Sequence, residues 1–86
     1  MRVTVLCFAR LREMARRAEW SCEVPPGSTV ADVWRALVAA CPEAAVMASS
    51  VSCAVNAEFA WMSAPVGEGD EVAFLPPVSG GAPRGR

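Results

Sequence analysis

Gly80 and Gly81 are the residues of this chain best placed for chemistry, because they bring almost nothing of their own. They close the run Gly69-Asp70-Glu71-Val72-Ala73-Phe74-Leu75-Pro76-Pro77-Val78-Ser79-Gly80-Gly81. Glycine lets a backbone pass through a narrow channel in almost any φ/ψ. From Pro76 to Gly81 an extended thread reaches roughly 20 Å. That is long enough to offer a glycine carboxylate deep inside another protein's active site. The plainer alternative is a frayed end, since termini are usually disordered.

The remaining inventory points away from a catalytic site within the chain. All eight basic residues are arginine, and there is no lysine and no histidine. Imidazole is therefore missing as a general base or metal ligand. The four cysteines, Cys7, Cys22, Cys41 and Cys53, form no Cys-x-x-Cys pair, which argues against a zinc site. No metal site is expected. No glycine-rich loop suited to cradling ATP is present. The net charge of −1 is too acidic for an expected nucleic-acid partner.

Eighty-six residues make one small domain with no room for a large internal pocket. The apolar stretch Val3 to Ala9 is short and runs straight into Arg10, Arg12 and Glu13, unlike a signal peptide. No apolar run approaches the ~20 residues of a membrane span. The expectation is a cytoplasmic protein with reduced, mostly buried thiols and no membrane partner.

Several elements must position the thread. Residues 2–8 read as a strand, with Val3, Val5 and Cys7 on one face and Thr4, Leu6 and Phe8 on the other. Both faces are largely apolar, so the strand is either covered twice or keeps one face for a partner. Residues 9–18 fit a helical turn or two. Their Arg10, Arg12, Arg16 and Arg17 form either a solvated face or a basic contact patch. Residues 19–24 alternate as a half-buried strand, broken by Pro25-Pro26-Gly27. Thr29 to Asp32 carries a helix N-cap signature. Val30, Val33, Trp34, Leu37, Val38 and Cys41 then recur at helical spacing, and Pro42 ends the helix. Trp34 is expected in the core. An alanine-rich turn follows over 42–50, then strands over Val51–Asn56 and Phe59–Met62, a loop over Ser63–Gly69, and a last buried strand over Val72–Leu75. Pro76 and Pro77 stop that strand.

The order β-β-α-β-β-β predicts an α+β fold: a mixed sheet of about five strands around one main helix, residues 29–41. It suits a β-grasp arrangement, in which the first and last strands pair in parallel at the centre. Leu6 and Phe8 then lie near Leu75, with Phe59 close by, as an apolar patch beside the thread. The domain is expected to span 1–77 and the thread 78–86.

At these residues the chain resembles the small subunit of molybdopterin synthase, a ubiquitin-like sulfur carrier. The matching stretches are Val5 to Glu13, Pro26-Gly27-Ser28-Thr29-Val30, Ala54-Val55-Asn56 and Gly69 to Gly81. The resemblance implies that Gly81 carries sulfur as a thiocarboxylate and that Gly80 gives it passage. It implies an activating enzyme that adenylates the carboxylate with ATP, while the carrier itself binds no cofactor. It implies a large catalytic subunit in which the sulfur reaches a pterin precursor. Phe8, Phe59 and Leu75, followed by Pro76 and Pro77, fall where the family contacts its partner, and Arg12 where it places an arginine. The sequence departs from the pattern by continuing past the diglycine with Ala82-Pro83-Arg84-Gly85-Arg86. A trimming protease, another origin for the tail, or an inactive copy would each account for this. The expectation is a precursor that is cut between Gly81 and Ala82. Carriers for thiamine, cysteine or a secondary metabolite, and ubiquitin-type modifiers or binding modules, share the same framework.

Overall fold

The computed structural model describes residues 1–77, so Val78 to Arg86, with Gly80 and Gly81 among them, lie outside the described residues. The elements are β1 (Arg2–Cys7), α1 (Ala9–Ala15), β2 (Glu19–Glu23), α2 (Val30–Ala40), a 3-10 helix (Pro42–Met47), β3 (Ser52–Val55), β4 (Glu58–Ala60) and β5 (Glu71–Leu75). One five-stranded sheet runs in the order β2-β1-β5-β3-β4. β1 and β5 pair in parallel at its centre, and the other pairings are antiparallel. This is the β-grasp arrangement expected from the element order.

Strand alternation sorts side chains onto two faces. Val3, Val5, Cys7, Val72 and Phe74 are fully or almost fully buried. They meet Val30, Val33, Trp34 and Leu37 of α2 in one core. Trp34 packs against Phe74 with ring centroids 5.0 Å apart and planes tilted by 59°, which is favourable aromatic geometry. The expected core role of Trp34 holds.

Helix α2 begins where the sequence places it. The Asp32 carboxylate accepts hydrogen bonds from the Thr29 backbone N–H at 2.8 Å and from the Thr29 hydroxyl at 3.3 Å. The bond from the Thr29 N–H, with help from Arg35, holds the Asp32 carboxyl below its ordinary range. Two further N–H groups of the first turn, Val30 and Ala31, donate to the carbonyls of Ala64 and Met62 at 2.9 and 2.8 Å. A helix start leaves these donors without intrahelical partners. Here the loop after β4 supplies the acceptors.

That loop corrects one sequence expectation. The fourth strand was expected over Phe59–Met62, but β4 covers Glu58–Ala60. After Ala60 the chain turns away to bond α2, and a turn closes from the Ala64 N–H to the Trp61 carbonyl at 3.0 Å. A second difference is at Phe8, which leaves the β1 ladder and becomes the N-cap of α1. A third is that residues 72–75 are not uniformly buried: Val72 and Phe74 face the core, whereas Ala73 and Leu75 are half-buried on the other face.

The β3–β4 turn holds Asn56 at φ 51° and Ala57 at φ 72°. Such a backbone costs an L-residue roughly 1–2 kcal/mol. Asn56 recovers some of that. Its side chain donates to Asp70 at 3.1 Å and accepts the Glu71 N–H at 3.0 Å. Ala57 has no such compensation. Replacing it with glycine removes the strain and adds unfolded-state entropy of about 0.4–1 kcal/mol. We expect Ala57→Gly to raise the melting temperature by a few degrees. A lowered melting temperature would show that the turn is not strained.

Candidate functional site: an apolar trough at the chain's exit

The face of the sheet away from the core is the informative one. Register places Leu6 beside Ala73, Ala73 beside Ala54, and Ala54 beside Phe59. Two alanines at the centre and larger side chains at the sides make a trough. Leu6 and Phe8 form one wall, Phe59 the other, and Leu75 closes the end, around a cavity of about 270 Å³. Ala54 is buried but lies outside the core cluster, so it forms trough floor rather than core.

Parallel pairing fixes where the chain leaves. β1 and β5 end at the same edge of the sheet, so Leu75 emerges beside Phe8. Pro76 is half-buried and Pro77 exposed. Phe8 is 45% exposed and Phe59 81% exposed, far more than such side chains usually show in a stable domain. The structure therefore brings together Phe8, Phe59, Leu75 and Pro76 from three parts of the sequence. Arg12 is exposed on α1, one helical turn beyond Phe8, and its backbone N–H donates to the Phe8 carbonyl at 3.4 Å. The walls are legible in the sequence, whereas the floor of Ala54 and Ala73 is marked there only by small residues at matching strand positions, and Trp61, which is 83% exposed, carries no sequence signal that sets it apart.

Arg10, Arg12, Arg16 and Arg17 are all exposed, and among the described residues none makes an ion pair. Arg17 stands over the Trp20 ring at 5.5 Å. The four cysteines are unpaired. Burial, reinforced by nearby Cys41, pushes the Cys7 thiol up to about 11. Burial also raises Cys22 and Cys53, with Glu23 adding to the effect at Cys22. A thiol held protonated at neutral pH is a weak nucleophile. Asp70, at the opposite end of the sheet, is held below its ordinary range by the Asn56 amide and the Gly67 N–H. Among the described residues, no helix is long and apolar enough to cross a membrane.

A parallel central pair, one long helix over one face and an opposite face left uncovered among the described residues define a ubiquitin-like β-grasp domain. The chain belongs to the ThiS family, whose model matches residues 5–81 and so extends through both glycines. It is 38% identical over 79 residues to the molybdopterin synthase sulfur carrier subunit of Arabidopsis thaliana, covering 92% of this chain and 82% of that protein. Among solved structures it is similar to SAMP1 from Haloferax volcanii, with a TM-score of 0.81 and 31% identity over 94% of this chain and all of that one. It is also similar to a chain of the BexX/CysO complex from Amycolatopsis orientalis, with a TM-score of 0.65 and 26% identity over 92% of this chain and 99% of that one.

Proposed function

We infer that this chain is the sulfur-carrier subunit of a molybdopterin synthase. The observation that carries the reading is the likeness to the Arabidopsis carrier over nearly the whole chain. The exit geometry supports it, because a side-chain-poor thread leaves beside an apolar trough. The thread enters the large catalytic subunit while the trough docks against that subunit's surface.

The chemistry follows from what a glycine carboxylate can and cannot do. As an anion it is a poor electrophile. An activating enzyme makes it reactive: a Gly81 carboxylate oxygen attacks the α-phosphorus of ATP and pyrophosphate leaves. A sulfur nucleophile then displaces AMP and leaves a thiocarboxylate. Inside the large subunit the thiocarboxylate sulfur bonds to a pterin precursor and displaces an oxygen leaving group from it; water then cleaves the acyl carbon–sulfur bond, so the sulfur stays on the precursor and Gly81 returns to a carboxylate. The carrier supplies a positioned acyl group and a docking face. It needs no base, metal or bound cofactor of its own. Gly80 lets the acyl group reach the reacting centre, and Phe8, Arg12, Phe59, Leu75, Pro76 and Pro77 make the contacts with the partner.

A second reading has a specific observation behind it, the 31% identity to SAMP1. On that reading the same glycine serves a different acceptor. The deciding experiment is a reconstitution. The chain is prepared ending in a Gly81 thiocarboxylate and mixed with the large subunit and the pterin precursor. We expect molybdopterin to form, and to form equally well when each cysteine in turn is replaced by alanine or serine in a variant that still folds. No product from the intact thiocarboxylate would move the chain to another acceptor. Loss of transfer in one well-folded cysteine variant would mean that the sulfur travels on a side chain.

A further inference from the structure

Four large apolar side chains are exposed among the described residues: Phe8, Val46, Phe59 and Trp61. Val46 lies on the 3-10 helix, away from the trough. The other three gather at the edge of the sheet where the chain leaves. The β3–β4 register pairs Cys53 with Ala60, so one further step sets Trp61 opposite Ser52. Ser52 is in turn paired with Leu75, and one step beyond the β1–β5 ladder sets Phe8 beside Leu75. The exit edge thus reads Phe8, Leu75, Ser52, Trp61. The thread leaves from between two aromatic residues.

Trp61 and Ser52 line a cavity of about 350 Å³ together with Val51 and Met62. Phe59 lines this cavity and the trough alike. The two apolar surfaces are therefore continuous around Phe59. Trp61 is also held in place. Its carbonyl accepts the Ala64 N–H at 3.0 Å, and the next residue's carbonyl is tied to the first turn of α2. With the backbone already fixed, docking has only the side-chain torsions of Trp61 left to order. Exposed tryptophan in such a position is the residue type most enriched at binding hot spots.

We propose that Trp61 is a second anchor for the subunit that receives the thread, gripping it on the side of the exit opposite Phe8. The inference rests on the sulfur-carrier reading above. The partner's matching site is an apolar pocket with one hydrogen-bond acceptor at its rim for the indole N–H. Anchors at Phe8 and Trp61 flank Leu75, the last residue of β5, on both sides.

The test measures binding of the chain ending at Gly81 to the large subunit of molybdopterin synthase from the same cells, by calorimetry. Every element among the described residues lies within residues 2–75, so this form keeps all of them. We expect Trp61→Ala and Trp61→Gln to weaken binding at least tenfold, Trp61→Phe to weaken it less, and Val46→Ala to leave it unchanged. Melting temperatures should stay at the wild-type value, because Trp61 is 83% exposed. If Phe8→Asp abolishes binding while both Trp61→Ala and Trp61→Gln stay within twofold of wild type, the Trp61 anchor is wrong and the docking face stands. If neither Phe8→Asp nor Trp61→Ala alters binding, the docking face itself is wrong and the anchor falls with it.

Discussion

A form of this protein ending at Gly81 should support ATP–pyrophosphate exchange with its activating enzyme, and the form that runs on through Ala82 to Arg86 should support none. Adenylation needs a carboxylate oxygen to attack the α-phosphorus. In the longer form the Gly81 carbonyl belongs to a peptide bond with Ala82. Its nitrogen lone pair is delocalised into the carbonyl, and it carries no anionic oxygen. Arg84 adds a second obstacle, since a bulky charged side chain does not follow two glycines through a channel shaped for glycine. We therefore propose that cleavage between Gly81 and Ala82 precedes activation. The measurement compares exchange rates for the two forms, each verified by intact mass before and after the assay. Equal rates for an uncut 86-residue chain would refute the precursor idea. Exchange appearing only after a cell extract has shortened the chain to Gly81 would identify the trimming step.

The sequence made the frame of this fold readable wherever a local rule and the tertiary structure agree. Thr29 and Asp32 announce the start of α2, and the carboxylate does reach back to the Thr29 N–H. Val3, Val5 and Cys7 alternate with Thr4 and Leu6, and the buried set is the expected one. Legibility fails where a distant partner decides. Nothing near Met62 says that its carbonyl will be claimed by the Ala31 N–H, so the extended run from Phe59 looked longer than β4 is. Phe8 continues the apolar alternation of β1, yet it becomes a helix cap because its carbonyl accepts the Leu11 N–H at 3.1 Å. The trough floor was hidden for a different reason. Ala54 and Ala73 are ordinary in sequence and acquire meaning only from a register that sets them side by side between Leu6 and Phe59.

Phe8→Asp should cost the large subunit about a hundredfold in affinity while leaving the domain folded. Two effects oppose binding of the variant. Docking can bury only the 45% of Phe8 that is still exposed, so the ring contributes about half of the roughly 1.5–3 kcal/mol of a fully buried phenylalanine. A carboxylate in its place must be dehydrated against an apolar surface without a partner, which opposes docking further. Together these reach about 3 kcal/mol, or about two factors of ten in the dissociation constant. The place of Phe8 in the fold makes the experiment decisive. Phe8 is the N-cap of α1, with extended backbone at φ −123° and ψ 156° and no side-chain bond to the helix. Aspartate is among the residues preferred at that position, because its carboxylate can accept a free N–H of the first turn. Its negative charge also suits the positive end of the helix. Phe8 is not part of the core cluster, so no cavity opens when the ring is removed. The variant should melt at or above the wild-type temperature, so that any loss of affinity belongs to the interface. Wild-type affinity in a folded Phe8→Asp variant would show that the trough does not face the partner. A lowered melting temperature would show that the ring supports the fold after all.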